Sequence, residues 1–393
     1  MTKAAREALT HARRVVVKVG TRVLVAGNGR PDDARIESIV EQLVGLRRRG
    51  IEVILVSSGA IGAGLATLGR RSRPTELPEL QMAAAVGQSQ LMTLYSRLFW
   101  YHRVNIGQVL LTHDDIKDRV RHLNARNTMM RCLRNGVIPI VNENDVVSVD
   151  EIRFGDNDHL AALVAILVDA DALLLLTRVN GLRAPLAGKG SRTRRIAHLS
   201  RVDDAAHALV WQGNDRLSTG GMESKLRSAG AAAKSGICVA IIDGRQDDAI
   251  SRALSGADIG TMIGGKPRED LSSWKRWIGF FQRAEGCLVI DAKTEAALSR
   301  PGHSLLPNGV VEVSGDFSRG ALVNVHTSQG ERLARGLVTY GSAEIAAIKG
   351  KASSEIASIL GGNAYGEVIH SDNLVILPQH ARRITGQTHK VQR

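Results

Sequence analysis

The sequence predicts an α/β chain: a three-layer sandwich with a mainly parallel sheet, followed by a small, mostly β, barrel-like domain. Two observations carry that expectation. The first two-thirds of the chain alternates short runs of valine, isoleucine and leucine with longer stretches at helical spacing. Strands that are apolar on both faces belong to parallel sheets covered by helices on both sides. The second is length and a change of pattern. At 393 residues the chain exceeds the ~100–200 residues of one ordinary domain, and after about Gly265 the alternation gives way to short, closely spaced strands.

Arg14 to Val19 (RVVVKV) is the first strand, ending in Gly20-Thr21. Asp32 is placed to cap a helix that carries Ile36, Ile39, Val40, Leu43 and Val44 on one face and stops at Gly50. Glu52 to Ser58 is the next strand, running into a glycine-rich turn and a helix. Asn105 to Thr112, Val137 to Asn142, Ala172 to Thr177 and Cys238 to Asp243 repeat the theme. KPREDLSSWKR, residues 266–276, is polar and suits a linker. Strands follow at Cys287 to Ile290, Val310 to Val313, Ala321 to His326 and Leu333 to Tyr340, then short helices at Ala343 to Lys349 and Ser354 to Leu360. The expected division is residues 1–265, a linker over 266–283, a β domain over 284–370 and a tail over 371–393. The aromatic cluster WKRWIGFF, 274–281, with Trp274, Trp277 and Phe280, suggests that the linker end is anchored rather than free.

The net charge of +13 brings anionic partners into view, a nucleotide or a nucleic acid. Arginine clusters such as Arg47-Arg48-Arg49 fall at helix ends and in loops, where a solvated surface explains them. Cys132, Cys238 and Cys287 are far apart and show neither a pairing framework nor metal-ligand spacing. The first residues lack an apolar signal core, and the longest apolar run, Leu160 to Val168, is far too short for a membrane span. A soluble, cytoplasmic protein without membrane association or protein-held metal is expected.

Four stretches carry candidate chemistry. Lys18 lies inside an apolar strand, which makes sense if its ammonium meets an anion at the sheet edge. SSGAIGAG, 57–64, offers glycines for close approach and the start of a helix with free amides. NENDVVSVDEIRFGDND, 142–158, holds six carboxylates and is pinned between a buried-type strand and an apolar helix. STGGMESKL, 218–226, enters a helix with Lys225 about one turn in, a phosphate-binding arrangement. No GxxxxGK[ST] occurs in the chain. Two lysines and two helix starts would bind a polyphosphate, while acidic and amide groups would hold a small cationic ligand. A kinase acting on a small amino-bearing molecule fits these parts.

KVGT at 18–21, SSGAI at 57–61, AAVGQ at 84–88, GQVLLT at 107–112, IVNENDVV at 140–147, FGDND at 154–158 and TGGMESK at 219–225 stand in an order that resembles the glutamate 5-kinases of the amino-acid kinase superfamily. The tail, with SLLPNGVVEVSGDFSRG at 304–320, looks like the PUA domain that many of them carry. The resemblance implies ATP-dependent phosphorylation of the glutamate side-chain carboxylate, the first step toward proline, with Mg²⁺ on the phosphates. Lys18 and Lys225 would contact the phosphates, and Asp158 would orient both lysines. Ser58, Asp145 and Asn157 would bind L-glutamate. Thr177, Arg178, Thr219, Gly220, Gly221, Met222, Glu223, Ser224 and Lys225 would line the nucleotide site. Proline is implied as a feedback inhibitor, with glutamyl-phosphate reductase, RNA and a second copy of the chain as further partners. The chain departs from the family at Arg178, where aspartate is usual, at Arg183, and at Ser218, where glycine is common. A competing expectation is an RNA-binding regulator acting through the β domain, with a weakened kinase.

Overall fold

The computed structural model describes residues 2–24, 32–70, 72–147, 157–185, 193–210, 221–264, 275, 278–279, 284–298, 300, 302–361 and 366–377. The chain divides into two compact units, Met1–Glu269 and Asp270–Arg393.

In the first unit the strands are β1 (Arg14–Val19), β2 (Glu52–Ser57), β3 (Ile106–Leu111), β4 (Ile138–Glu143), β5 (Ala172–Thr177), β6 (Arg183–Pro185), β7 (Thr193–Arg195), β8 (His198–Leu199), β9 (Cys238–Asp243) and β10 (Thr261–Ile263). All but the β6–β7 ribbon form one sheet in the order β3-β4-β2-β1-β5-β9-β10-β8. The neighbours from β3 through β9 are parallel. The pairing of β10 with β9 is antiparallel, which the sequence reading did not contain. β4 also runs one residue further than expected, so Glu143 joins Asn142 as a buried strand residue.

Side chains alternate between the faces of a strand, and that parity sorts β1. Val15, Val17 and Val19 belong to a core with Ile36, Ile39, Val40 and Leu43 of the helix Asp33–Arg48 and with Tyr95 and Phe99 of the helix Leu77–Tyr101. Val16 and Lys18 therefore take the opposite face, where the helix Asn157–Leu167 packs against β1, β2, β4 and β5. Asp32 does cap Asp33–Arg48, accepting from the Arg35 amide at 3.0 Å.

The second unit forms a separate sheet of β11 (Gly286–Ile290), β12 (Val310–Ser314), β13 (Leu322–Thr327), β14 (Arg332–Leu337) and β15 (Leu374–Ile376), in the order β12-β11-β13-β14-β15. β11 and β13 are parallel, and the other pairs are antiparallel. Two boundaries move relative to the sequence reading. β15 belongs to this sheet although it lies in the expected tail. Within the expected linker, Ile278 is fully buried and the Gly279 carbonyl accepts from Arg335 Nη1 at 2.9 Å. A helix at Ala292–Leu298 was also not foreseen. The expected anchors Trp274, Trp277 and Phe280 lie outside the described residues.

The helix Ala60–Thr67, which starts at Ser58-Gly59, is fixed by an intimate crossing with Leu77–Tyr101. A Cβ on Gly64 would sit 1.8 Å from the Ala83 carbonyl oxygen, and one on Gly87 would sit 1.8 Å from that of Ala60. Backbone meets backbone there, so nothing can yield. Gly87→Ala should lower the free energy of unfolding by about 2–3 kcal/mol. Gly45→Ala, in a helix with nothing within 4 Å of the added carbon, should instead be neutral or stabilising by up to about 1 kcal/mol. Paired urea melts check this; equal effects at the two sites would rule out the crossing as the constraint.

Candidate active site

Lys18 pairs with Val56 of β2 and Leu175 of β5, so it stands in the middle of the sheet, near its carboxyl edge. It is 4% exposed, so its ammonium is withdrawn from solvent. What makes the burial tolerable is Asp158, in the first turn of the helix on the same face. Its Oδ1 lies 2.7 Å from Lys18 Nζ. Its Oδ2 accepts from Lys225 Nζ, also at 2.7 Å, reaching in from the first turn of the helix Met222–Lys234. Asp158 is fully buried and Lys225 is 8% exposed. Burial would push the Asp158 carboxyl up, but the ammonium groups of Lys18 and Lys225 outweigh it and hold the group well below the usual carboxylate range. Two ammonium groups against one carboxylate leave one net positive charge at the sheet edge.

The neighbouring residues are amides. Asn157 Nδ2 donates to the Ser57 carbonyl and to Asn142 Oδ1, both at 2.7 Å. Asn142 Nδ2 donates in turn to Gln88 Oε1 at 2.8 Å. Ser57 Oγ lies 2.9 Å from the hydroxyl of Tyr95, whose pKa burial pushes up to about 12, so it stays a neutral phenol. Ser58 is buried just beyond β2. Gly59, at φ 104°, turns the chain into Ala60–Thr67 and offers no side-chain cap, so the amides at that helix start keep their hydrogen-bonding capacity for an anion. Gly221 starts Met222–Lys234 in the same way. Asp145 is half-buried in the turn after β4.

On the other side of Lys18, Thr177 ends β5, and its carbonyl accepts from the Gly244 amide at 2.9 Å. Arg178 is exposed. Its carbonyl accepts from Arg245 Nη2 at 2.6 Å, while the same guanidinium pairs with Asp243 at 2.8 Å. Met222 and Ser224 are half-buried in the first turn of their helix. Glu223 is held sideways, 3.0 Å from His207 Nδ1 and 3.7 Å from Arg227, so its carboxylate ties two helices together. Thr219 and Gly220 lie outside the described residues, as do residues 148–156.

The structure thus brings Lys18, Asp158, Asn157 and Lys225 together around the carboxyl ends of the central strands, with Ser58 and Thr177 at the ends of β2 and β5. Gln88, Asn142, Ser57 and Tyr95 were not among the expected site residues. Their signal was available: Gln88 closes AAVGQ, and Asn142 opens the acidic stretch.

Residues 13–243 match the model of the amino acid kinase family, and residues 286–360 match the PUA domain. A glutamate 5-kinase of Moorella thermoacetica is 43% identical over 373 residues, covering 95% of this chain and 98% of the relative. A glutamate 5-kinase of Chromohalobacter salexigens is 46% identical over 375 residues, with the same coverage of both chains.

Asp158→Asn leaves two buried ammonium groups without their counter-charge and should cost about 3–5 kcal/mol of stability at neutral pH. Because the folded carboxyl is depressed, its contribution is complete above the unfolded value near ~4 and is lost as pH falls through the folded one. The gap between wild type and variant should therefore narrow from pH 5 to pH 3. Urea melts across that range test it, and a gap that widens on acidification would reverse the assignment.

Proposed function

Since the chain belongs to the amino acid kinase family, among its glutamate 5-kinases, we propose that it transfers the γ-phosphoryl group of ATP to the side-chain carboxylate of L-glutamate. The observation that carries this is the buried Lys18–Asp158–Lys225 grip at the carboxyl edge of a parallel sheet. A ligand at such an edge meets helix starts and strand-end amides together.

The nucleophile is a carboxylate, ionised at neutral pH, so no general base is required. An oxygen of that carboxylate forms the new bond to the γ-phosphorus, the bond from phosphorus to the β,γ-bridging oxygen breaks, and ADP leaves. The obstacle is repulsion between two anions. Lys18 and Lys225 offset it at the transferring group, and Asp158 keeps both in place without cancelling their charge. Among the described residues no group of three or more His, Cys, Asp or Glu side chains could hold a metal ion. The donor set fits phosphate oxygens, so Mg²⁺ would be held by the nucleotide, where it would supply positive charge to the phosphates. Asp145 and Asn157 take the amino-acid end of glutamate, with Ser58 beside them. Thr177, Arg178 and the segment Thr219 to Lys225 take the nucleotide, except that Glu223 acts through His207 by fixing the helix.

The product is an acyl phosphate, which a glutamyl-phosphate reductase would consume on the way to proline. No helix among the described residues is long and apolar enough to cross a membrane, and a cytoplasmic homo-oligomer is the setting we propose. The PUA domain offers RNA as a further partner, but an RNA-binding regulator with a weakened kinase is not favoured, because the phosphate-binding lysines are assembled.

Hydroxylamine trapping of the acyl phosphate, dependent on both ATP and glutamate, tests the reaction. Lys18→Ala and Lys225→Ala should each lower kcat by at least ~100-fold, the scale of losing one oxyanion donor. Near-normal turnover in either variant would take that lysine out of the mechanism. Proline shares the α-amino and α-carboxyl groups of glutamate but has no side-chain carboxylate to phosphorylate. It should inhibit by competing with glutamate, and inhibition that rising glutamate does not relieve would place it elsewhere.

A further inference from the structure

Three carboxamides and one backbone carbonyl form a continuous hydrogen-bonded chain beside the lysine grip, and its direction can be deduced from one end. The Ser57 carbonyl oxygen can only accept. The Asn157 atom 2.7 Å from it is therefore Nδ2, the donor side of that amide. An amide nitrogen carries two hydrogens, and Asn157 spends the second on Asn142 Oδ1, also at 2.7 Å. Asn142 must then present its own Nδ2 on the far side, where it donates to Gln88 Oε1 at 2.8 Å. Asn142 is 2% exposed and Asn157 8%, so neither amide can turn over into water without losing these partners.

We infer that Gln88 is a positioning residue for the amino-acid substrate: as the acceptor at the end of this chain it holds Asn142 with Oδ1 toward Asn157, and together with the Ser57 carbonyl this keeps Asn157 with Oδ1, not Nδ2, toward the ligand. The inference rests on the reading of Asn157 as a glutamate-binding residue. It names the part of glutamate involved. At neutral pH both carboxylates of glutamate only accept hydrogen bonds, and its α-ammonium is the one group that only donates. An Asn157 held acceptor-outward addresses that ammonium, which has three hydrogens and can bond Asp145 as well.

The position of Gln88 is itself fixed. It follows Gly87, the residue whose backbone lies against Ala60 at the helix crossing, on a helix that packs on the sheet face opposite Asp158. Its side chain reaches the end of β4, where Asn142 pairs with Leu110. The acceptor that holds Asn142 is thereby carried by a different element from those bearing the lysines and Asp158.

The test compares Gln88→Met, of similar length but without an acceptor strong enough for the Asn142 amide, with Gln88→Glu, which keeps an acceptor oxygen. Hydroxamate kinetics and calorimetric titration are run with L-glutamate and with glutarate, which lacks the ammonium. Gln88→Met should raise KM and Kd for glutamate about tenfold, the scale of one hydrogen bond at a buried site. Its kcat and KM for ATP should stay within about threefold of wild type. Its constants for glutarate should not move, so the preference for glutamate over glutarate falls by the same factor. Gln88→Glu should remain close to wild type throughout. An unchanged glutamate KM in Gln88→Met, an equal loss for glutarate, or a Gln88→Glu as impaired as Gln88→Met overturns the relay while leaving the kinase reading intact. A wild-type chain that neither binds nor phosphorylates glutamate overturns both.

Discussion

Lys18 and Lys225 meet the same carboxylate from different elements, one from the centre of the sheet and one from a helix far along the chain. Removing an ammonium from water costs several kcal/mol unless it is paired at good geometry, and here two are removed together. The carboxylate that meets both at 2.7 Å is Asp158, which is itself fully buried and faces one ammonium with each oxygen. The arrangement closes only if β1, the helix Asn157–Leu167 and the helix Met222–Lys234 hold their relative positions to a few tenths of an ångström. That requirement organises the first unit. Taken by themselves, the two ammonium groups and this carboxylate carry one net positive charge.

Parallel topology supplies the rest at little extra cost. The helices after β2 and before β9 begin at glycines that leave their first amides uncapped by side chains, and both starts fall at the edge that Lys18 lies near. The Gly64–Gly87 crossing keeps Ala60–Thr67 at one height over the sheet. The same crossing places Gln88 where its side chain reaches Asn142.

Much of this was legible in the sequence, and for identifiable reasons. The central strands were read to within a residue because they are continuous apolar runs with no competing interpretation. Lys18 was noticeable because a lysine inside such a run needs a partner. Asp158 was read as that partner through the family resemblance, not through spacing. The failures share a cause: they concern partners distant in sequence whose local signal is ordinary. β10 and β15 are three residues each, and their strand character comes from the neighbours they pair with. Tyr95 and Gln88 sit on a long helix whose period accounts for them as generic core and surface, and only the fold brings them to Ser57 and Asn142. Glu223 also pairs with His207, a partner that carries no mark in the sequence.

The basic surplus and the departure at Arg178 meet in the same physical argument. Several arginines are occupied in holding backbone: Arg6 on the Ala257 and Ile259 carbonyls, Arg14 on Val168, Arg47 on Gly136 and Arg195 on Gly260. A guanidinium does this well because its five donors can serve a carbonyl and a carboxylate together. Arg245 does so just beyond β5, taking the Asp243 carboxylate and the Arg178 carbonyl at once. The main chain after β5 is thus fixed by Arg245 whatever side chain stands at 178. Replacing the family's usual aspartate by arginine there changes charge without releasing the backbone. The change adds positive charge at the edge of the sheet where Lys18 and Lys225 already stand.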